Sequence, residues 1–329
     1  MVSKKKVAVG IDLGGTKLEA ALVDSLGLVL ASTRVATDVA GGPRAVTSQI
    51  IESVREVLKH KDPGHFVSGV GLGVAGQIEA NSGKVIFGPN LGWKEVPLGD
   101  WIQEELGLEV LVTNDVRAAA FGEWRFGAGK GVEDLVCLFL GTGIGGGIVS
   151  GGRLLHGTSN TAGELGHMVV ELSGPVCDCG GRGCLEALAG GRALARQARR
   201  AVQAYPAAGS RLLSLAGGTL EGITAQTLVL AARKGDRLAG EILGKAKEAL
   251  AAGLVSVVHC FNPQRIVLGG GIVQGMPELV EEMEQRVRHR AMKAALGQLK
   301  IVQAKLGGVA GAVGAAAMLL LRDEKEILA

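Results

Sequence analysis

Aromatic residues make up only 3% of the chain's 329 positions, so a core has to be built from Ala, Val, Leu and Ile. Excess charge is missing as well. A formal net charge of +3, dispersed along the sequence, offers no nucleic-acid surface. Long apolar runs are also lacking. The segment after Lys4, Lys5 and Lys6 is interrupted by Asp12 and does not resemble a signal peptide, so this basic run reads as the solvated start of a strand. Leu306 to Leu321 carries no charge, but it is shorter than the roughly 20 residues a membrane span needs and reads as a buried helix. No membrane partner is expected, nothing points to secretion, and the expected location is the cytoplasm. Cysteine is scarce too: Cys137 and Cys260 sit in apolar surroundings and read as core residues.

Glycine is what the chain has in abundance. Its 53 glycines are roughly twice the average share. They gather in GIDLGG, GVGLGVAG, GTGIGGG and LGGG without forming a repeat, which excludes collagen-like and low-complexity readings. The length suffices for two ordinary domains.

Periodicity predicts strands over KKVAVGID, KLEAALVD and LVLASTRV, then a helix from Pro43 to Leu58. Further strands are predicted at Phe66–Val74 and Leu108–Val112, with helices at Asp100–Leu106 and Asp115–Trp124. The pattern restarts at Leu135, with a strand, a glycine turn and the strands of IVSGGRLL. Helices are then predicted at 185–202, 224–234, 238–261 and 277–290, and strands at 265–268 and 300–304. Two units that each begin strand, glycine turn, strand imply a duplicated α/β architecture with a cleft between halves.

The turns GIDLGGTK and FLGTGIGGG are followed by strand-like sequence. In a Rossmann unit or a P-loop the turn opens a helix, so neither motif fits. Both read as hairpin turns whose backbone N–H groups can face an anion. A tight hairpin without a ligand explains one such turn equally well; two equivalent turns favour a polyphosphate. Asp12 ends the first strand, where a carboxylate suits Mg²⁺. Thr16 and Lys17 can reach phosphate oxygens, although Lys17 also fits a solvated strand position. Gly269, Gly270 and Gly271 follow a third buried strand and either form a simple turn or let an adenosine pack on backbone.

Asn114 and Asp115 stand where an apolar strand meets an Ala-rich helix. One of them can act as N-cap. Asp115 can also serve as a general base toward a hydroxyl attacking a γ-phosphoryl group, and the two readings are compatible. Downstream, Cys177, Cys179 and Cys184 with His167 make a Cys₃His set suited to structural Zn²⁺. Disulfides would leave one cysteine over, and C-x-C-x₄-C is not the redox spacing. A closed zinc site keeps no open position for water. Its expected task is to stiffen the loop that carries Glu164, His167 and Glu186, whose carboxylates suit a polyhydroxylated ligand.

Taken together, DLGGTK at 12–17, ND at 114–115, GTGIGGG, GELGH and CDCGGRGCLE resemble the ROK family of sugar kinases and related repressors. That resemblance runs through almost the whole chain. It implies the two-domain actin/hexokinase-like (ribonuclease H-like) ATPase fold with an interdomain cleft. Residues 1–115 would form a small N-terminal domain, 116–307 a large domain with the zinc loop, and a helix at about 308–322 would pack back on the first.

The resemblance also implies Asp115 as the base, with Asn114, Glu164, His167 and Glu186 contacting the sugar. His167 would use one ring nitrogen for the sugar and the other for zinc. ATP would lie against Asp12, Gly14, Gly15, Thr16 and Lys17, against Gly141, Thr142, Gly143 and Gly145, and against Gly269 to Gly271. GPNLGW at 88–93 resembles the loop of glucokinases in this family, with Asn90 near the sugar, which makes glucose the first expectation over fructose, mannose, N-acetylmannosamine and N-acetylglucosamine. DLGGTK looks like the ATP-using form and not the polyphosphate-using one. No helix-turn-helix segment precedes the first strand, so a repressor is not expected. A homo-oligomer, dimer or tetramer, is the family tendency.

Overall fold

The opening strand–turn–strand folds as a hairpin, with β1 (Lys5–Leu13) antiparallel to β2 (Lys17–Asp24) from Val7 opposite Asp24 to Leu13 opposite Leu18. The structure, a computed structural model, describes residues 5–80 and 82–322. Lys4 of the basic run lies outside the described residues, and Lys5 and Lys6 are exposed at the start of β1. β3 (Val29–Ala36) continues the meander, α1 (Gly42–Leu58) carries Pro43 in its first turn, and β4 (His65–Val74) returns parallel to β1. Three short strands were not legible in the sequence: β5 (Gln77–Ile78), β6 (Val85–Gly88) and β7 (Trp93–Val96) form a small antiparallel sheet of their own. None is long enough to display a period of two clearly. α2 (Leu98–Leu106) closes on Gly107 in the left-handed conformation, φ 62°. β8 (Val110–Asn114), starting two residues later than the pattern suggested, runs parallel to β4 and passes directly into α3 (Asp115–Arg125).

β9 (Leu135–Leu140), β10 (Ile144–Ser150) and β11 (Arg153–Leu154) then repeat the opening. The helix predicted over 185–202 is in fact two, α4 (Leu185–Ala189) and α5 (Gly191–Ala204), separated by an extended Gly190 (φ −69°, ψ 149°). This break gives the first N–H groups of α5 partners outside the helix: Gly191 donates to the Gly141 carbonyl and Arg192 to that of Thr142, each at 2.9 Å. α6 (Ser210–Leu215), α7 (Ala225–Arg233), α8 (Arg237–Phe261), β12 (Arg265–Gly269), α9 (Gly271–Gly275), α10 (Glu278–Arg290), β13 (Lys300–Gln303) and α11 (Ala310–Leu320) follow. α6 and α9 escaped the sequence pattern because each has under two turns. The two large sheets are ordered β3-β2-β1-β4-β8 and β11-β10-β9-β12-β13, the same order for corresponding strands.

The chain divides into two compact units. The first comprises residues up to 135, residues 147–163 and residues from 305 onward; the second comprises 136–146 and 164–304. In the first, α11 is buried at every position and lies directly on backbone. A Cβ at Gly10 of β1 would overlap the Ala312 carbonyl, one at Gly71 of β4 the Ala315 carbonyl, and one at Gly314 the Ala118 carbonyl of α3. Glycine at these three positions lets a helix pack at backbone distance on sheet and helix. Glu123 of α3, fully buried, accepts hydrogen bonds from Ala128 N (2.7 Å), Lys305 N (3.0 Å) and Leu306 N (2.6 Å), fixing the chain where it returns to this unit. Among the described residues, no helix is long and apolar enough to cross a membrane. Cys137 is buried as expected, whereas Cys260 is exposed, because it faces outward near the end of α8.

Candidate functional site

In the first unit the turn between β1 and β2 is held from three sides. Gly14 N donates to the Lys17 carbonyl (2.9 Å), Thr37 Oγ1 to the Gly14 carbonyl (2.8 Å), and Thr37 N to the Thr16 carbonyl (3.2 Å). A Cβ on Gly15 would come within 2.5 Å of the Asn90 carbonyl, so the turn rests on the loop between β6 and β7 that exposes Asn90. That loop is anchored by buried Trp93 and turned by Gly92 at φ 68°.

Next to this turn, charges alternate. Lys17 Nζ lies 3.3 Å from Asp12 Oδ2 and 3.5 Å from Glu19 Oε2, and buried Glu19 also accepts from Arg34 Nε (3.1 Å) and Nη2 (2.6 Å). Burial raises the Asp12 carboxyl above its ordinary value, opposed by Lys17. A carboxylate at a strand end that already holds a cation against one oxygen is suited to a hard divalent ion.

The start of α3 is capped by Asn114, not Asp115. Asn114 Oδ1 accepts from Val116 N and Arg117 N, both at 3.0 Å, while its Nδ2 donates to the Gly76 carbonyl (3.3 Å). Asp115 follows as the first helical residue, half-buried. Gly73 of β4 leaves room for it, since a Cβ there would stand 3.1 Å from the Asp115 Cα. Two residues on, buried Arg117 bonds to Asn160 Oδ1, to the Asn160 carbonyl (2.8 Å) and to the Ala162 carbonyl (3.3 Å). Asn160 has a left-handed backbone (φ 58°), donates to the Ile78 carbonyl (3.0 Å), and meets His156 Nδ1 at 3.3 Å. Burial, and after it the Arg117 charge, holds His156 below its ordinary value. This network fixes residues 156–162, the approach to Glu164. Sequence reading missed it, along with Thr37, Glu19 and Arg34, because all the partners but His156 and Asn160 lie 15 to 82 residues apart.

In the second unit the turn between β9 and β10 closes through Gly141 N on the Gly143 carbonyl (2.9 Å). Glu186, in the first turn of α4, accepts from Ile144 N at 2.7 Å. A Cβ on Gly143 would overlap Glu186 Oε2. Gly145 lies within β10. Gly269 ends β12, Gly270 takes a positive φ of 87° against the Leu140 backbone, and Gly271 opens α9. Beside Gly271 is a mainly apolar cavity of about 160 Å³, lined by Gln226, Val229, Leu230, Arg233 and Ile272.

His167, Cys177, Cys179 and Cys184 converge, their ligand atoms all within 4.8 Å of one another. Cys177 Sγ stands 3.7 Å from His167 Nδ1, and Cys179 Sγ 3.8 Å from Cys184 Sγ. Tetrahedral zinc with Zn–S bonds of about 2.3 Å has edges of about 3.8 Å, so the four groups fit that ion. Burial pushes the Cys184 thiol up to about 12, whereas the Gly181 N–H holds Cys179 below the ordinary thiol value. A cation among these sulfurs would displace their protons. His167 Nε2 points the other way, 4.0 Å from Glu164 Oε2. Backbone bonds tie the two segments together: Val170 N to the Gly183 carbonyl and Leu185 N to the Met168 carbonyl, both at 2.9 Å.

Comparison with known proteins gives one consistent picture. Residues 8–322 match the model of the ROK family. A glucokinase of Thermotoga maritima is 38% identical over 312 residues, covering 94% of this chain and 96% of that protein. The structure of a ROK family glucokinase from Streptomyces griseus in complex with glucose and AMPPNP is similar at TM-score 0.80 and 37% identity, covering 95% of this chain and 98% of the other. A ROK hexokinase structure from Thermus thermophilus is similar at TM-score 0.80 and 32% identity, over 97% of this chain and 99% of that one.

Proposed function

The chain belongs to the ROK family, and from that premise we propose that it phosphorylates a hexose at its 6-hydroxyl with ATP, glucose being the favoured sugar. The relatives named as glucokinases, and the one bound to glucose and AMPPNP, support this choice. The observation that carries it is the Cys₃His cluster, whose histidine turns one nitrogen to the thiols and the other toward Glu164. A metal-braced imidazole that donates from Nε2–H beside a carboxylate that accepts is a rigid partner for vicinal hydroxyls.

In this reading Glu164 and Glu186 accept hydrogen bonds from sugar hydroxyls, His167 donates one from Nε2–H, the Nδ2 of Asn114 donates another, and Asn90 joins them. Asp115 takes the proton of the 6-hydroxyl as its oxygen bonds to the γ-phosphorus and ADP leaves. The turns at Gly14 to Lys17 and Gly141 to Gly145 face the phosphates with backbone N–H groups other than those of Gly14, Gly141 and Ile144, which bond within the protein. Thr16, Thr142 and Lys17 add side-chain contacts, and Gly269 to Gly271 back the adenosine. Asp12 would hold Mg²⁺, which supplies charge neutralisation on the phosphates when bound. Zn²⁺ on His167, Cys177, Cys179 and Cys184 supplies rigidity alone, since its coordination is closed.

The test is an ADP-release assay across glucose, mannose, fructose, N-acetylglucosamine and N-acetylmannosamine, with ATP and separately with polyphosphate as donor. ATP-dependent turnover highest on glucose is expected; no ATP-dependent turnover on any hexose would refute the reading.

A further inference from the structure

The second glycine turn is fastened to the helices that follow it by three bonds. Two run inward, from Gly191 N and Arg192 N at the start of α5 to the carbonyls of Gly141 and Thr142. The third runs outward, from Ile144 N to Glu186 Oε2 at 2.7 Å. Ile144 is buried, so this N–H reaches no solvent, and without Glu186 it would be a buried donor with its acceptor removed. Gly143 has no side chain because the Glu186 carboxylate fills the place of a Cβ, and Gly190 packs close to both, its Cβ position 3.1 Å from Glu186 Cγ and 3.5 Å from the Gly143 Cα. Glu186 itself sits two residues after Cys184, so the cluster that orders the loop also sets where this carboxylate lies.

We propose that Glu186 is a positioning residue for the second phosphate turn: one carboxylate oxygen holds Ile144 N–H and leaves the other for the sugar, so a single side chain sets affinity for both substrates. This rests on the kinase reading above and adds a role to it. A residue that only bound sugar would leave nucleotide affinity untouched in the absence of sugar. A carboxylate that merely obstructed the turn would, when removed, let nucleotide bind more tightly. The bonds from α5 to the turn's carbonyls argue for the brace, because they hold the same turn from the protein side of its chain and orient its peptide planes.

The experiment is equilibrium binding of AMPPNP with Mg²⁺ and no sugar, by calorimetry, for wild type, Glu186→Gln, Glu186→Asp and Glu186→Ala. Zinc content and melting temperature establish that each variant is folded. Glu186→Gln retains an acceptor at the same reach and is expected to bind AMPPNP within about threefold of wild type, while its KM for glucose rises. Glu186→Asp keeps the charge but withdraws the oxygen, and Glu186→Ala removes it; both are expected to weaken AMPPNP by about tenfold or more. Nucleotide affinity unchanged or tightened in Glu186→Ala would overturn the proposal, as would an equal loss in Glu186→Gln. A wild-type protein that bound no AMPPNP would instead count against the kinase reading itself, so the two failures are separable.

Discussion

The two glycine turns occupy equivalent places in two sheets of the same strand order, yet they are built differently. The first is held by strand backbone and Thr37 and has a chain of alternating charges beside it, from Asp12 through Lys17 and Glu19 to Arg34. The second leans on the N-terminus of α5 and on one carboxylate from α4, which follows the zinc-type loop. Duplicated topology supplies a backbone that approaches an anion, and what packs behind the turn decides its further work. Charge behind the first suits an ion that must be bound and released. A rigid loop behind the second suits a sugar that must be held in one orientation.

The largest effect is expected at the start of α3. Asp115→Asn should lower turnover by about a hundredfold to ten-thousandfold while leaving the melting temperature near wild type, because Asn114 carries the cap. Asn114→Ala gives the complementary result, a stability loss of about 0.5–2 kcal/mol in urea unfolding. An Asp115→Asn enzyme with substantial activity would remove the base from the first unit's share of the comparison.

Next in size is the metal. About one zinc per chain is expected by elemental analysis. Cys179→Ser should lose it and raise the KM for glucose by about tenfold to a hundredfold. Normal sugar kinetics in a metal-free preparation would show that the second unit's rigidity has another source.

A smaller effect tests the packing beneath the first turn. Gly10→Ala places a methyl where the Ala312 carbonyl lies and should destabilise the protein by about 1–3 kcal/mol by chemical denaturation. A neutral result would mean that α11 stands further from β1 than its backbone contact indicates.

The smallest concerns the charge chain, in the absence of nucleotide and Mg²⁺. Burial raises the Asp12 carboxyl above 3.8 in the folded state. The native protein therefore binds that proton more tightly than the unfolded chain. The stability tied to it is complete below the unfolded value and is lost as pH rises through the folded one. Asp12→Asn should then melt slightly higher than wild type at pH 7, the difference closing as pH falls below 3.8. A lower melting temperature at pH 7 would mean that Lys17 stabilises Asp12 by more than burial costs it.

Composition and spacing by themselves determined the α/β class, the two strand–turn–strand openings, the buried C-terminal helix and the Cys₃His set, because each depends on local period or on ligands close in sequence. The ROK motifs, likewise, were readable as a contiguous order of short words. Only the tertiary structure decided which neighbour caps α3, that Gly190 divides a predicted helix so that α5 can bond the second turn, and that β5 to β7 exist at all. It alone joined Arg117 to Asn160, Glu123 to Leu306 and Glu186 to Ile144. Those bonds span from 42 to 183 residues, and no periodicity in a single chain encodes which distant backbone N–H or carbonyl a buried charge will meet.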